Sequence, residues 1–165
     1  MDKRFNPLTL AQQLDLRQQA IDDVLAADAR IVKLGLLDMP AMAEPGTLMM
    51  VSLPEETERS LNLLHLRQGR LPDPQSADEA VVSEGFAAAH QLRPGALITV
   101  LMNGQRRDLT VTGIALSPEF IYALGPGEMM PDPRRFGIAW MPRDMLAAAF
   151  DLEGAFSNLV VQLAP

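Results

Sequence analysis

Cysteine is missing from this chain of 165 residues, and lysine and histidine occur twice each. Without cysteine there are no disulfides, no thiolate nucleophile and no Cys-type zinc site, and the chain suits a reducing or an oxidising compartment. The lysines are Lys3 and Lys33, followed by Arg4 and Leu34, so no Gly-Lys-Ser/Thr phosphate loop exists. Lysine Schiff-base chemistry would fall to one of the same two residues. Neither His65 nor His90 has a second histidine three or four positions on, which removes zinc spacing. No apolar run approaches the roughly 20 residues of a membrane-spanning helix. The start, Met1-Asp2-Lys3-Arg4-Phe5, has no apolar core behind it, so no signal peptide is expected and the chain reads as a soluble globule. Positive charge is also short: the net charge is −7 and the arginine doublets are Arg106-Arg107 and Arg134-Arg135. That balance argues against a phosphate backbone, hence against a nucleic-acid partner.

What is present builds a core. Apolar residues make up 48% of the chain, enough for one ordinary domain or two small lobes. Thr9 and Gln12 fit a capping box, and Leu10, Leu14, Ile21, Val24 and Leu25 share one face at helical spacing. Strands are predicted at Ile31 to Leu37 and Thr47 to Leu53, separated by a turn at Glu44-Pro45-Gly46. Pro54 to Ser60 reads as a charged link. The centre of the chain follows as strand Glu79 to Val82, a helix from a Ser83 cap to about Gln91, and strand Ala96 to Met102. Asn103-Gly104 then marks a hairpin, because both central residues of a type I′ turn need positive φ. Leu109 to Ala115 is the return strand, stopped by Ser117-Pro118-Glu119-Phe120. Arg135 to Trp140 is a strand, and Pro142 begins a helix with Met145, Leu146, Ala149 and Phe150 on its apolar face and Gly154 at its end. Leu159 to Leu163 is the last strand.

Candidate chemistry is sparse. Ser83 between a strand and a helix invites a nucleophile reading, but a nucleophile elbow wants glycine where Val81 stands. A helix cap accounts for Ser83 without further assumptions. Carboxylates cluster at Glu55, Glu56 and Glu58 and at Asp73, Asp78 and Glu79, without the spacing of a calcium loop. Ten methionines are many for this length; Met39 with Met42, Met49-Met50 and Met129-Met130 could be imagined as a soft copper(I) set, but without cysteine or a nearby histidine they read as gap-filling core or an adaptable contact surface. The proline- and glycine-rich stretch after Ser117 still carries Phe120, Ile121, Tyr122, Met129 and Met130. Such residues either fold back on the core or wait for a partner. Phe120, Tyr122, Met129 and Met130 are therefore the candidate contact residues for a partner or substrate, with no catalytic, cofactor-binding or metal-ligating residue assigned.

Several motifs follow one another in order: Gly69-Arg70-Leu71-Pro72, Glu79-Ala80-Val81-Val82-Ser83-Glu84-Gly85-Phe86-Ala87, His90 to Gly95, Asn103-Gly104, and Val111 to Phe120. Pro131-Asp132, Arg135-Phe136-Gly137, Trp140-Met141, Ala149-Phe150-Asp151 and Gly154-Ala155-Phe156 complete the series. Together they resemble the MacB-like periplasmic core domain of FtsX-like ABC transporter permeases. Two positions depart from the family pattern: Gln91 stands where a glycine usually follows the histidine, and Ser157 where an asparagine usually follows the Ala-Phe pair. The resemblance implies an α+β fold. A porter-like α/β lobe would be formed by both chain ends, residues 1–60 and 133–165, with a smaller β-rich lobe, 61–132, inserted. It also implies a non-enzymatic domain without cofactors at the periplasmic face of the bacterial inner membrane. Its partners would be the membrane helices of its own permease, a cytoplasmic ATPase subunit acting indirectly, and an envelope protein or a lipid or peptide substrate. The competing readings are a free-standing soluble binding protein and a small hydrolase using Ser83.

Overall fold

The structure, a computed structural model, describes residues 24–40, 42–54 and 61–163. The capping box and most of the first predicted helix, and residues 55–60 of the charged link, lie outside them. The fold is α+β. Its strands are β1 (Val24–Arg30), β2 (Val32–Asp38), β3 (Gly46–Ser52), β4 (His65–Gly69), β5 (Glu79–Ser83), β6 (Leu97–Met102), β7 (Gln105–Leu116), β8 (Phe136–Met141) and β9 (Asn158–Leu163). Among the described residues, two short helices, α1 (Glu84–His90) and α2 (Arg143–Ala149), follow β5 and β8.

Seven strands form one mixed sheet in the order β4-β7-β5-β8-β3-β2-β6, and β6 pairs again with β7. From β7 round to β6 the sheet closes on itself, which leaves few open edges. β7 makes this closure possible by its length of 12 residues. Its first half, to Thr110, pairs with β6, and its second half with β5 on one flank and β4 on the other. The β6–β7 turn carries Asn103 at φ 47° and Gly104 at φ 78°, as the Asn-Gly signal requires. Strands from both sides of the 61–132 boundaries share the sheet, through β5–β8 and β2–β6 pairing.

The ring has two apolar faces. Inside, Leu37, Met50, Val100, Val111 and Met141 converge with Phe86 of α1 and Leu146 of α2. Outside β3, β5 and β8, a second cluster gathers Val51, Val81, Phe136, Ile138 and Trp140. β8 has neighbours on both edges and cover on both faces, so all six residues of Phe-Gly-Ile-Ala-Trp-Met are buried.

β1 and β9 form a separate two-stranded antiparallel ribbon, with Val24 opposite Leu163 and Arg30 opposite Asn158. This corrects the first predicted helix at its end: Val24 and Leu25 lie in a strand. Helical spacing of apolar residues was a local signal there, and pairing with β9 overrides it. A second correction concerns α2, which ends at Ala149, with Phe150 as its cap, rather than at Gly154. Gly154, at φ +71°, instead shapes the turn toward β9. Among the described residues, no helix is long and apolar enough to cross a membrane.

Candidate functional site

Ser83, the strongest hydrolase candidate, sits at the start of α1, but its side chain makes no capping bond. Its Oγ accepts instead from the backbone N–H of Ile138 at 3.4 Å, so the hydroxyl ties β5 to β8. The expected cap is thus replaced by a cross-strand bond. His65 is exposed on β4. His90 ends α1 with its ring against Phe86, centroids 4.8 Å apart, and its Nε2 2.8 Å from the Arg134 carbonyl. A shallow groove of about 510 Å³ is lined by Gln68, Ala87, Ala88, Gln91, Leu92 and Arg93, and contains neither histidine nor Ser83. Among the described residues, no three His, Cys, Asp or Glu groups gather as a metal would need.

The two departures from the motif pattern have structural explanations. Gln91 takes φ 55° as the residue closing α1, where its N–H reaches Ala88 O and that of Leu92 reaches Ala87 O. This is the left-handed helix end at which glycine is usual. Ser157 fixes the approach to β9: its Oγ accepts from Val32 N at 2.8 Å and donates to Val32 O at 3.1 Å.

The Gly-Arg-Leu-Pro motif is a clasp. Arg70 donates twice to Glu79, Nη1 to Oε2 at 2.8 Å and Nη2 to Oε1 at 2.7 Å, and the Asp73 N–H adds a bond to Oε2 at 2.9 Å. The strand-entry glutamate of one motif therefore locks the turn of the other. The guanidinium first, and then the Asp73 amide, hold the Glu79 carboxyl from its ordinary 4.5 down to about 2. A carboxyl depressed in the folded state adds stability above its unfolded pKa and loses it as pH falls through its folded one. The stability advantage of the native chain over Glu79→Gln should therefore shrink as pH falls through the window from 4.5 to about 2. Urea unfolding of both proteins across that window checks it; a constant difference would remove the clasp.

The methionines divide. Met50 is fully buried, and Met39 and Met49 pack against the two clusters. Met129 and Met130 do not: they are 95% and 77% exposed. They belong to the segment between β7 and β8, which begins with a 3₁₀ turn, Pro118–Phe120, capped by Ser117 Oγ accepting from Glu119 N at 3.3 Å. Phe120 folds back, its ring 6.2 Å from Trp140, and Ala123 also packs on the outer cluster. Tyr122 and Ile121 point away, 81% and 76% exposed, and Leu124 is exposed too. At the far end Asp132 pins the segment, its carbonyl accepting from Arg135 N and Phe136 N and its Oδ1 from Arg134 N. The structure thus separates the four candidate contact residues. Phe120 is an anchor, and Tyr122, Met129 and Met130 stand with Ile121 and Leu124 in solvent on a loop fastened at both ends. Leu124 was not singled out in the sequence; its place in the same proline- and glycine-rich stretch was the available signal.

The loop root carries an ion pair that the sequence did not suggest. Glu119 receives Arg30 of β1 in a forked arrangement, Nη1 to Oε2 at 2.6 Å and Nη2 to Oε1. Asn62 Nδ2 also reaches Oε2, at 3.3 Å, and Arg30 Nε donates to Asn158 Oδ1 of β9 at 2.9 Å.

No family model matches the chain, and no curated protein matches it. Solved structures do. The extracellular domain of the ABC-type transporter YknZ from Gram-positive bacteria superposes with a TM-score of 0.56 at 17% identity, over 96% of this chain and 74% of that one. The periplasmic region of MacB from Actinobacillus actinomycetemcomitans gives 0.55 at 16% identity, over 98% of this chain and 67% of that one. The chain has the fold of these extracytoplasmic transporter domains along nearly its whole length.

Proposed function

We propose that the chain is the extracytoplasmic domain of an ABC transporter permease, placed at the periplasmic face of the inner membrane. The observation that carries this reading is the β1/β9 ribbon. It brings the two ends of the described chain side by side at Val24 and Leu163, as a domain held between two neighbouring membrane helices requires. The likeness in fold to the YknZ and MacB domains supports the same placement. In this reading ATP is hydrolysed by a cytoplasmic subunit, and the membrane helices deliver movement to the domain through the ribbon. The loop bearing Ile121, Tyr122, Met129 and Met130 meets an envelope protein or a lipid or peptide substrate, because exposed apolar side chains on a pinned loop mark a contact surface. Phe120 and Ala123 hold the loop's base on the outer cluster.

Replacing Tyr122 and Met129 together with serine in the full-length permease should reduce transport by about tenfold, the weight of one or two lost contact anchors. Unfolding stability should stay within about 0.5 kcal/mol, since both side chains are in solvent. Transport at the unaltered level would defeat the contact role.

A further inference from the structure

We propose that Arg30 and Glu119 form a joint that couples the β1/β9 ribbon to the root of the contact loop, whose base is also seated on the outer cluster of the ring. The ribbon is its own two-stranded sheet and shares no strand pairing with the closed ring. Arg30 is the last residue of β1, two positions before the chain enters the ring at Val32. Asn158 opposite it is the first residue of β9. The Arg30 guanidinium therefore spans the base of the ribbon, with Nε on Asn158 and both terminal nitrogens on Glu119 at the root of the loop. Asn62, just ahead of β4, joins the same carboxylate.

The chemistry suits a stiff connection. The two side chains are 13% and 25% exposed, so the pair is partly shielded although Glu119 itself lies at the surface. A forked guanidinium–carboxylate pair fixes orientation as well as distance. On the loop side the connection continues through backbone: Glu119 lies in the 3₁₀ turn next to Phe120, whose ring packs on Trp140. Ile121 and Tyr122 follow immediately. A displacement of the ribbon thus reaches the exposed patch through one ion pair and about three residues of pinned backbone.

The functional part of this inference rests on the permease reading, whereas the joint itself does not, and the experiment separates the two. Hydrogen–deuterium exchange is measured on the unaltered protein, Glu119→Gln, Arg30→Met and the reversed pair Arg30→Glu with Glu119→Arg. The expected result is exchange about tenfold faster in residues 119–124 and in β1 for the single variants, with β6 and β8 unchanged, and recovery in the reversed pair. Unchanged exchange in the single variants would overturn the joint. So would an equal acceleration of β6 and β8, which would mark a general loss of stability. If Arg30→Met fails to fold, Glu119→Gln, which keeps shape and one acceptor, decides alone. In the full-length permease the single variants should keep ATP hydrolysis and lose transport, with recovery in the reversed pair; unaltered transport beside raised exchange would overturn its coupling role. Unaltered transport in the Tyr122 and Met129 variants as well would fall on the permease-contact reading instead.

Discussion

Replacing Gly137 with alanine should lower the unfolding free energy by about 1–3 kcal/mol, and removing the Phe86 ring by about 3–5 kcal/mol. A Cβ on Gly137 would stand 2.6 Å from two ring carbons of Phe86, closer than any carbon contact allows. The ring therefore lies in the dimple that a missing side chain leaves in β8, with Phe86 1% exposed. α1 spans only 7 residues, far too few to hold a helix by itself, so this contact fixes it to the sheet. The two changes should not add. With Phe86 already alanine, the clash at 137 vanishes, and the double variant should cost about as much as Phe86→Ala alone. Urea unfolding of the four proteins measures the coupling; strict additivity would show that the ring does not sit over Gly137. Domains of this kind hold about 5–15 kcal/mol in total, so Phe86→Ala should fold, but marginally.

The second large effect belongs to the close pairing of β4 with β7. Gly69 and Gly113 face each other in register. A Cβ on Gly69 would lie 2.1 Å from the Thr112 carbonyl oxygen, and one on Gly113 would lie 2.5 Å from that of Arg70. Backbone cannot yield as a side-chain tip can. Gly69 also has φ +74°, which alone costs a residue with a Cβ about 1–2 kcal/mol. Gly69→Ala should therefore detach β4, at a cost of about 2–4 kcal/mol, capped by what this exposed strand contributes. Exchange of residues 65–70 should accelerate strongly while β8 stays protected. Protection of 65–70 at the unaltered level would contradict this close approach.

Much of the fold was legible where the signal was local. Asn103-Gly104 announced its turn, and the strands on either side fell within a few residues of prediction, because φ preference and alternation act over short range. The α+β class also agrees with the structure. Local signals misled where a distant partner decided. Val24 and Leu25 continue a helical pattern, yet their strand is set by residues near Leu163. Ser83 looked like a cap, yet its hydroxyl serves Ile138, a neighbour 55 residues on. In the contact loop the composition showed that apolar side chains were present. It could not show that Phe120 turns inward while Tyr122 turns outward, because Trp140 selects the former. Arg30 and Glu119, 89 positions apart, carry no sequence mark of their pairing.

The ribbon has a consequence for the order of assembly. Its cross-strand partners are separated by 128 positions at its base and by more toward its tip. Contacts that distant form only once the intervening chain is compact, since closing so long a loop early is entropically unfavourable. As the polypeptide is made, β1 must wait until the chain 128 or more positions further on has emerged before it meets β9. The strand that awaits its mate, Val-Leu-Ala-Ala-Asp-Ala-Arg, is short, alanine-rich and charged, a composition that discourages association with the wrong neighbour during that interval.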